Sequence, residues 1–281
     1  MAIKDLLVHL DGSPQARARL DFAVALAARQ GAHLVALYAV EAGLPFALTG
    51  EMAGPALAQL LEQMRGETEA EAAQLRAAFE SASRREGIEG EWREAMEAPP
   101  EAVALHARYA DLSILGQPEP GTLNAGLTEL VLEAALFDSG RPVMMLPYAG
   151  RFDARLDRVL IGWNATKEAT RAVNDALPLL RTARDVLVLA INPRNGVGGQ
   201  GDVPAADIAL HLARHGVTAT AQHIVATEIG EADVLLNTAA DVGAELLVMG
   251  AYGHSRLRQM VFGGVTRGIL ARMTVPVLLS H

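Results

Sequence analysis

The sequence predicts an α/β protein laid down twice, each copy a parallel sheet with helices on both faces. Two observations carry that expectation. Short apolar runs rich in Val, Ile and Leu alternate with longer amphipathic stretches, the pattern of doubly buried strands and their covering helices. The second half of the chain then repeats the first. Gly116 and Gly250 lie 134 positions apart, as do Pro142 and Pro276, so the step from strand-end glycine to proline is the same in both halves. A conserved internal step of this kind points to duplication. The expected units are 1–148 and 155–281, joined through the turn-forming, mixed-charge segment "PYAGRFDARLD".

Taken in order, "LLVHL" reads as the first strand. "PQARARLDFAVALAARQG" reads as an amphipathic helix with Ser13 as its N-cap, Pro14 in its first turn and Gly31 at its close. "HLVALYAV", "DLSILG" and "RPVMMLP" read as further buried strands. Between them lies a long acidic helical stretch. Its Leu57, Leu60, Leu61, Met64, Leu75 and Phe79 fall mostly at three- and four-residue spacings, as on a helix that covers its own sheet. In the second half "DRVLIGWNATKEATRAVNDALPLL", "ARDVLVLAIN", "AELLVMG" and "VPVLLS" echo the first-half segments, and the long helix is replaced by the shorter "RNGVGGQGDVPAADIALHLARHG".

Composition narrows the function classes. Across 281 residues, 51% apolar and 20% charged content gives ample core, and only 4% aromatics leaves packing to Ala, Val and Leu. A net charge of −9 repels phosphate backbones, so nucleic acid is not an expected partner. There is no cysteine, which excludes disulfides, thiolate metal sites and thiol catalysis. Asp5 interrupts the first apolar run, unlike a secretory leader, and no uninterrupted apolar run of about 18 residues occurs. No membrane partner is expected, and the cytoplasm is the expected compartment.

In open parallel sheets ligands bind beyond the carboxyl ends of the strands, where the strand order reverses. The residues after the first and fourth strands of each half therefore matter most: Asp11-Gly12-Ser13 and Gly116 in the first, Trp163-Asn164-Ala165 and Gly250 in the second. Gly250 and Gly253 leave a buried strand, and Gly263, Gly264, Val265 and Thr266 lead into a helical pattern. A helix N-terminus offers unpaired N–H groups and partial positive charge to an anion, and glycines let the backbone come close. His254, Ser255 and Thr266 add side-chain donors. A glycine-rich turn with no ligand is the competing reading at this point.

Gly-x2-Gly-x9-Gly after "LLVMG", with "VHLDGS" at the first strand and "VPVLL" at the last, resembles the nucleotide-binding signature of universal stress proteins. The resemblance covers nearly the whole chain, twice. It implies two Rossmann-like domains of the adenine nucleotide alpha hydrolase-like kind, each a five-strand parallel sheet of order 3-2-1-4-5. It also implies that the last strands pair across a pseudo-two-fold, making an intramolecular pseudo-dimer; a homodimer of whole chains stays open. Carried onto this sequence, Gly250, Gly253, Gly263, Gly264 and Thr266 would contact the phosphates or ribose of ATP (or AMP or ADP), with Mg²⁺ able to accompany them. Asn164 would take the place of the family's acid, and Ala190 and Ile191 would lie near the base.

Two departures stand out. Gly264 replaces the usual small hydroxyl residue, for which Thr266 would partly compensate. Asn164 replaces the acid, keeping a carbonyl acceptor but no charge. The first half departs the other way: Asp11 is present, but the positions of Gly253, Gly263, Gly264 and Thr266 hold Glu119, Glu129, Leu130 and Leu132. Carboxylates there would repel phosphate, so nucleotide is expected in the second half only.

Other patterns carry less. "GVGGQG" at 196–201 matches G-x-G-x-x-G but lacks the acid a dinucleotide site needs about 20 residues on. His211 and His215 share a helix face, which suits a solvated surface better than a metal without a third ligand such as His223 or Asp207. Trp163 is expected to pack. With His254 the lone candidate base, no catalytic or metal site is expected. The expected function is a stress-response binding and regulatory protein holding an adenine nucleotide. A stress partner without nucleotide and a slow ATPase are the alternatives.

Overall fold

The computed structural model describes residues 2–40, 55–95, 97–193, 205–251 and 263–281. The first half runs β1 (Asp5–Leu10), α1 (Ala16–Gln30), β2 (His33–Tyr38), α2 (Pro55–Glu86), β3 (Gly90–Glu94), α3 (Pro99–Ala107), β4 (Leu112–Gly116), α4 (Ala125–Asp138) and β5 (Val143–Leu146). The second runs β6 (Arg158–Trp163), α5 (Lys167–Leu180), β7 (Asp185–Ile191), α6 (Ala206–Arg214), β8 (Ala219–Ile224), α7 (Glu231–Asp241), β9 (Leu246–Gly250), α8 (Gly264–Arg272) and β10 (Val277–Ser280).

All these strands join one sheet in the order β3-β2-β1-β4-β5-β10-β9-β6-β7-β8. Within each half the order is 3-2-1-4-5 and every pairing is parallel. The halves meet where β5 and β10 pair antiparallel, Val277 opposite Met145 and Leu279 opposite Val143. Both strands are buried, so two apolar edges that would template aggregation cover each other.

The sequence makes this sheet by alternation. On β1, Leu6, Val8 and Leu10 feed the core on one face while Leu7 feeds the core on the other. Leu278 on β10 joins the first core, and Val277 and Leu279 join the second. Period-two burial on both faces is why these strands read as continuous apolar runs. α2 covers the sheet with its second half, where Ala72, Leu75, Ala78, Phe79 and Ala82 are buried, while Leu61 is exposed. Beneath it Trp92 stacks on Tyr38 at 6.0 Å. Trp163, as expected, is half-buried against the core. Gly31 ends α1 in the left-handed conformation.

One helix start differs from the expectation. α1 begins at Ala16, and Ser13 does not cap it: the hydroxyl of Ser13 donates to the Asp11 carboxylate instead. The residue at the N-cap position of α1 is Gln15, whose side chain makes no capping bond. In the second half, Thr166 at the corresponding position does cap α5, accepting from the Ala169 N–H.

Polar contacts also tie the halves together. Buried Gln117 follows β4, donates to the Leu270 carbonyl at 2.6 Å and accepts from the Tyr148 N–H at 3.1 Å. Arg171 of α5 donates to the carbonyls of Gly140 and His281, and the Phe137 ring meets the His281 ring edge-on.

Candidate functional site

The carboxyl ends of β6 and β9 are neighbours, which brings Asn164 and Gly250 to the same edge of the sheet. Gly250 is there for a packing reason. A Cβ on it would lie 2.5 Å from the Ala169 nitrogen and 2.8 Å from the Glu168 Cβ, so the first turn of α5 crosses directly over its backbone. Gly263 and Gly264 differ. Gly263 is the N-cap of α8 with extended backbone and no side-chain cap, and Gly264 is the first helical residue. Both are exposed, and a Cβ on either would meet nothing within 4 Å among the described residues. The start of α8 is thus bare backbone, with the N-terminal partial positive charge of the helix behind it.

Val265 is half-buried, and Thr266 is buried. Ala190 is buried in β7, and Ile191 is half-buried at the strand's end. Gly253, His254 and Ser255 lie outside the described residues, as does the "GVGGQG" segment.

Asn164 is tied into its own turn. Its Oδ1 accepts from both the Thr166 N–H, at 3.3 Å, and the Thr166 hydroxyl, at 2.8 Å. A carbonyl oxygen has two lone pairs, and both are engaged. The NH₂ group of Asn164 adds a donor on the same side chain.

The first-half edge is filled from within. Arg19 of α1 is 3% exposed. It donates from Nε to the His9 carbonyl at 2.7 Å and from Nη2 to Asp11 at 2.7 Å. Its guanidinium lies against Gly116, where any Cβ would collide with it. Burial works against ionisation of Asp11. Arg19, His9 and the hydrogen bonds from Ser13 and Arg19 outweigh that and hold the carboxyl below the usual carboxylate range. Across the edge the Gln15 amide donates to Glu119 at 3.1 Å, and Tyr38 donates to Glu71 at 3.3 Å. Asp11 is committed to an internal guanidinium, so this edge carries its own cation.

The two edges are built to one plan with exchanged chemistry. Ser13 on Asp11 and Thr166 on Asn164 make the same turn. In that register Arg19 corresponds to Ala172, which is fully buried, and Gln15 corresponds to Glu168. The sequence reading missed Arg19 and Glu168. Helical phase was the available signal: Arg19 shares the buried face of Ala16, Leu20 and Ala23, and Glu168 shares that of Ala172 and Ala176. The rings of His211 and His215 meet at 4.5 Å, tilted by 52°, and among the described residues no group of three or more His, Cys, Asp or Glu is placed to hold a metal. No described helix is long and apolar enough to cross a membrane.

Fold and edge together define a tandem doubly wound α/β protein whose first strand-order switch is filled from within by Arg19. The profile of the universal stress protein family matches residues 2–135 and 155–281, and the chain belongs to that family. Among solved structures it is similar to a universal stress protein from Archaeoglobus fulgidus DSM 4304, at 17% identity and TM-score 0.71, covering 98% of this chain and 95% of that one. It is also similar to a functionally unknown protein from Pseudomonas aeruginosa PAO1, at 16% identity and TM-score 0.54, covering 99% and 92%. A putative universal stress protein from Pseudomonas aeruginosa UCBPP-PA14 gives 17% and 0.54, covering 99% and 93%. No curated protein matches the chain.

Proposed function

We propose that the chain is a stress-response binding and regulatory protein whose second half, within residues 155–281, holds an adenine nucleotide. The observation that carries this is the open start of α8, where Gly263 and Gly264 present uncapped backbone at the strand-order switch. That backbone fits phosphate: N–H donors, the helix dipole and, among the described residues, no side chain within 4 Å of where a Cβ would stand. Asn164 offers an amide donor on the β6 side. Ala190 and Ile191 at the end of β7 would flank the base. ATP, AMP and ADP share this chemistry, and Mg²⁺ would arrive on the phosphates.

The first half, within residues 1–148, is the structural member of an intramolecular pseudo-dimer. Its edge is occupied by the Arg19–Asp11 pair, and the β5–β10 pairing supports the arrangement. Native mass spectrometry of the purified chain, before and after adding ATP, tests the reading. A mass increment of one nucleotide per chain supports it, and an unchanged mass at saturating ATP contradicts it.

A further inference from the structure

Each half places one carboxylate and one amide on the turn after its first strand, but in opposite order. The first half has Asp11 and Gln15; the second has Asn164 and Glu168. In the first half both are engaged internally, Asp11 by Arg19 and Gln15 by Glu119. In the second the Arg19 position is Ala172 and the Glu119 position is Gly253, so neither supplies a side-chain partner. Glu168 is nonetheless 6% exposed, packed over Gly250 at the open edge. Its one ion pair among the described residues is with Lys167 at 3.5 Å, and that lysine side chain is 85% exposed. A carboxylate removed from water needs donors, and a solvated lysine is weak compensation.

Resting on the nucleotide reading above, we infer that Glu168 is a specificity-determining residue: its carboxylate accepts hydrogen bonds from the vicinal ribose hydroxyls of the ligand. Three points select this chemistry. The carboxylate repels phosphate, so it belongs with the neutral part of the nucleotide, while the start of α8 takes the charged part. A cation held by protein alone wants several oxygen ligands, and no such cluster exists among the described residues. Asn164 already accepts twice from Thr166 through its Oδ1, and Glu168 brings the carboxylate of this turn. Vicinal hydroxyls are two donors at the spacing of one carboxylate.

The test is titration calorimetry of the full chain and of Glu168→Gln with ATP and with 2′,3′-dideoxy-ATP. The wild type should prefer ATP by about tenfold, since hydrogen bonds to a charged acceptor are the strong ones. Glu168→Gln should reduce that preference to about twofold without weakening binding of the dideoxy analogue. A purely structural Glu168 would weaken both ligands together or neither. Equal affinity of the wild type for the two ligands overturns the inference without any variant, even if Glu168→Gln does not fold. An unchanged preference in a folded Glu168→Gln also overturns it, while the nucleotide reading stands. Absence of ATP binding by the wild type refutes the nucleotide reading itself and the inference with it.

Discussion

Arg19→Ala is the substitution whose consequence the structure fixes most firmly. Arg19 is 3% exposed and Asp11 has 22% of its side chain exposed, so the pair sits largely out of water. Removing the guanidinium leaves a buried carboxylate without its cation and the His9 carbonyl without its donor. Breaking one partner of a buried pair costs about 3–5 kcal/mol. At roughly 2–4 °C per kcal/mol for a chain of this size, the melting temperature should fall on the order of 10 °C. The second half shows how the same frame is stable without the pair: Asn164 and Ala172 stand where Asp11 and Arg19 do. The double variant Asp11→Asn, Arg19→Ala should therefore recover most of the loss, to within about 1–2 kcal/mol of wild type, because no unpaired charge remains. Thermal and urea unfolding of the three proteins at neutral pH measures this. A double variant no more stable than Arg19→Ala alone would refute the reasoning, because the loss would then come from packing.

Further consequences follow from the same geometry. Gly250→Ala puts a Cβ into the backbone of α5 and should destabilise by about 1–3 kcal/mol, whereas Gly264→Ala enters open space and should stay within about 0.5 kcal/mol in urea melts. Gln117→Leu leaves the Leu270 carbonyl and the Tyr148 N–H without their partner and should cost about 1–3 kcal/mol, read by the same melts. Burial pushes the pKa of His9 below the usual imidazole value despite the nearby Asp11, and burial with Arg93 does the same for His106. The unfolded chain then binds more protons as pH drops through about 6.5, so stability should decline from there toward the lower folded values. Melts at pH 7.5 and 5.5 check the sign, and His106→Gln should flatten part of the slope.

Much of the fold was legible because each strand is a continuous apolar run and the pattern occurs twice. The helix spacing of α2 was equally plain, although its partly exposed first turns were not. Side chains with two readings hid the rest. Arg17 and Arg19 look alike in "ARARLDFAV", yet Arg17 pairs with Asp21 at the surface while Arg19 points into the core. Only the phase of the helix tells them apart. Gly250 reads as a ligand contact from its place at a strand end, and the structure shows what else it accommodates: the crossing of α5, which no local sequence signal reveals. Asn164 reads as a weakened acceptor, but the neighbouring Thr166 decides which of its atoms is free.

The central claim is that bare backbone at the start of α8 holds the phosphates of an adenine nucleotide. Isothermal titration of ATP into the full chain and into the Gly263→Val, Gly264→Val variant tests it most directly. The account predicts binding by the wild type, abolished or weakened more than about tenfold in a variant that melts near the wild-type temperature. No binding by the wild type at millimolar ATP, less than about 4 kcal/mol of affinity, or undiminished binding by the variant, would contradict it.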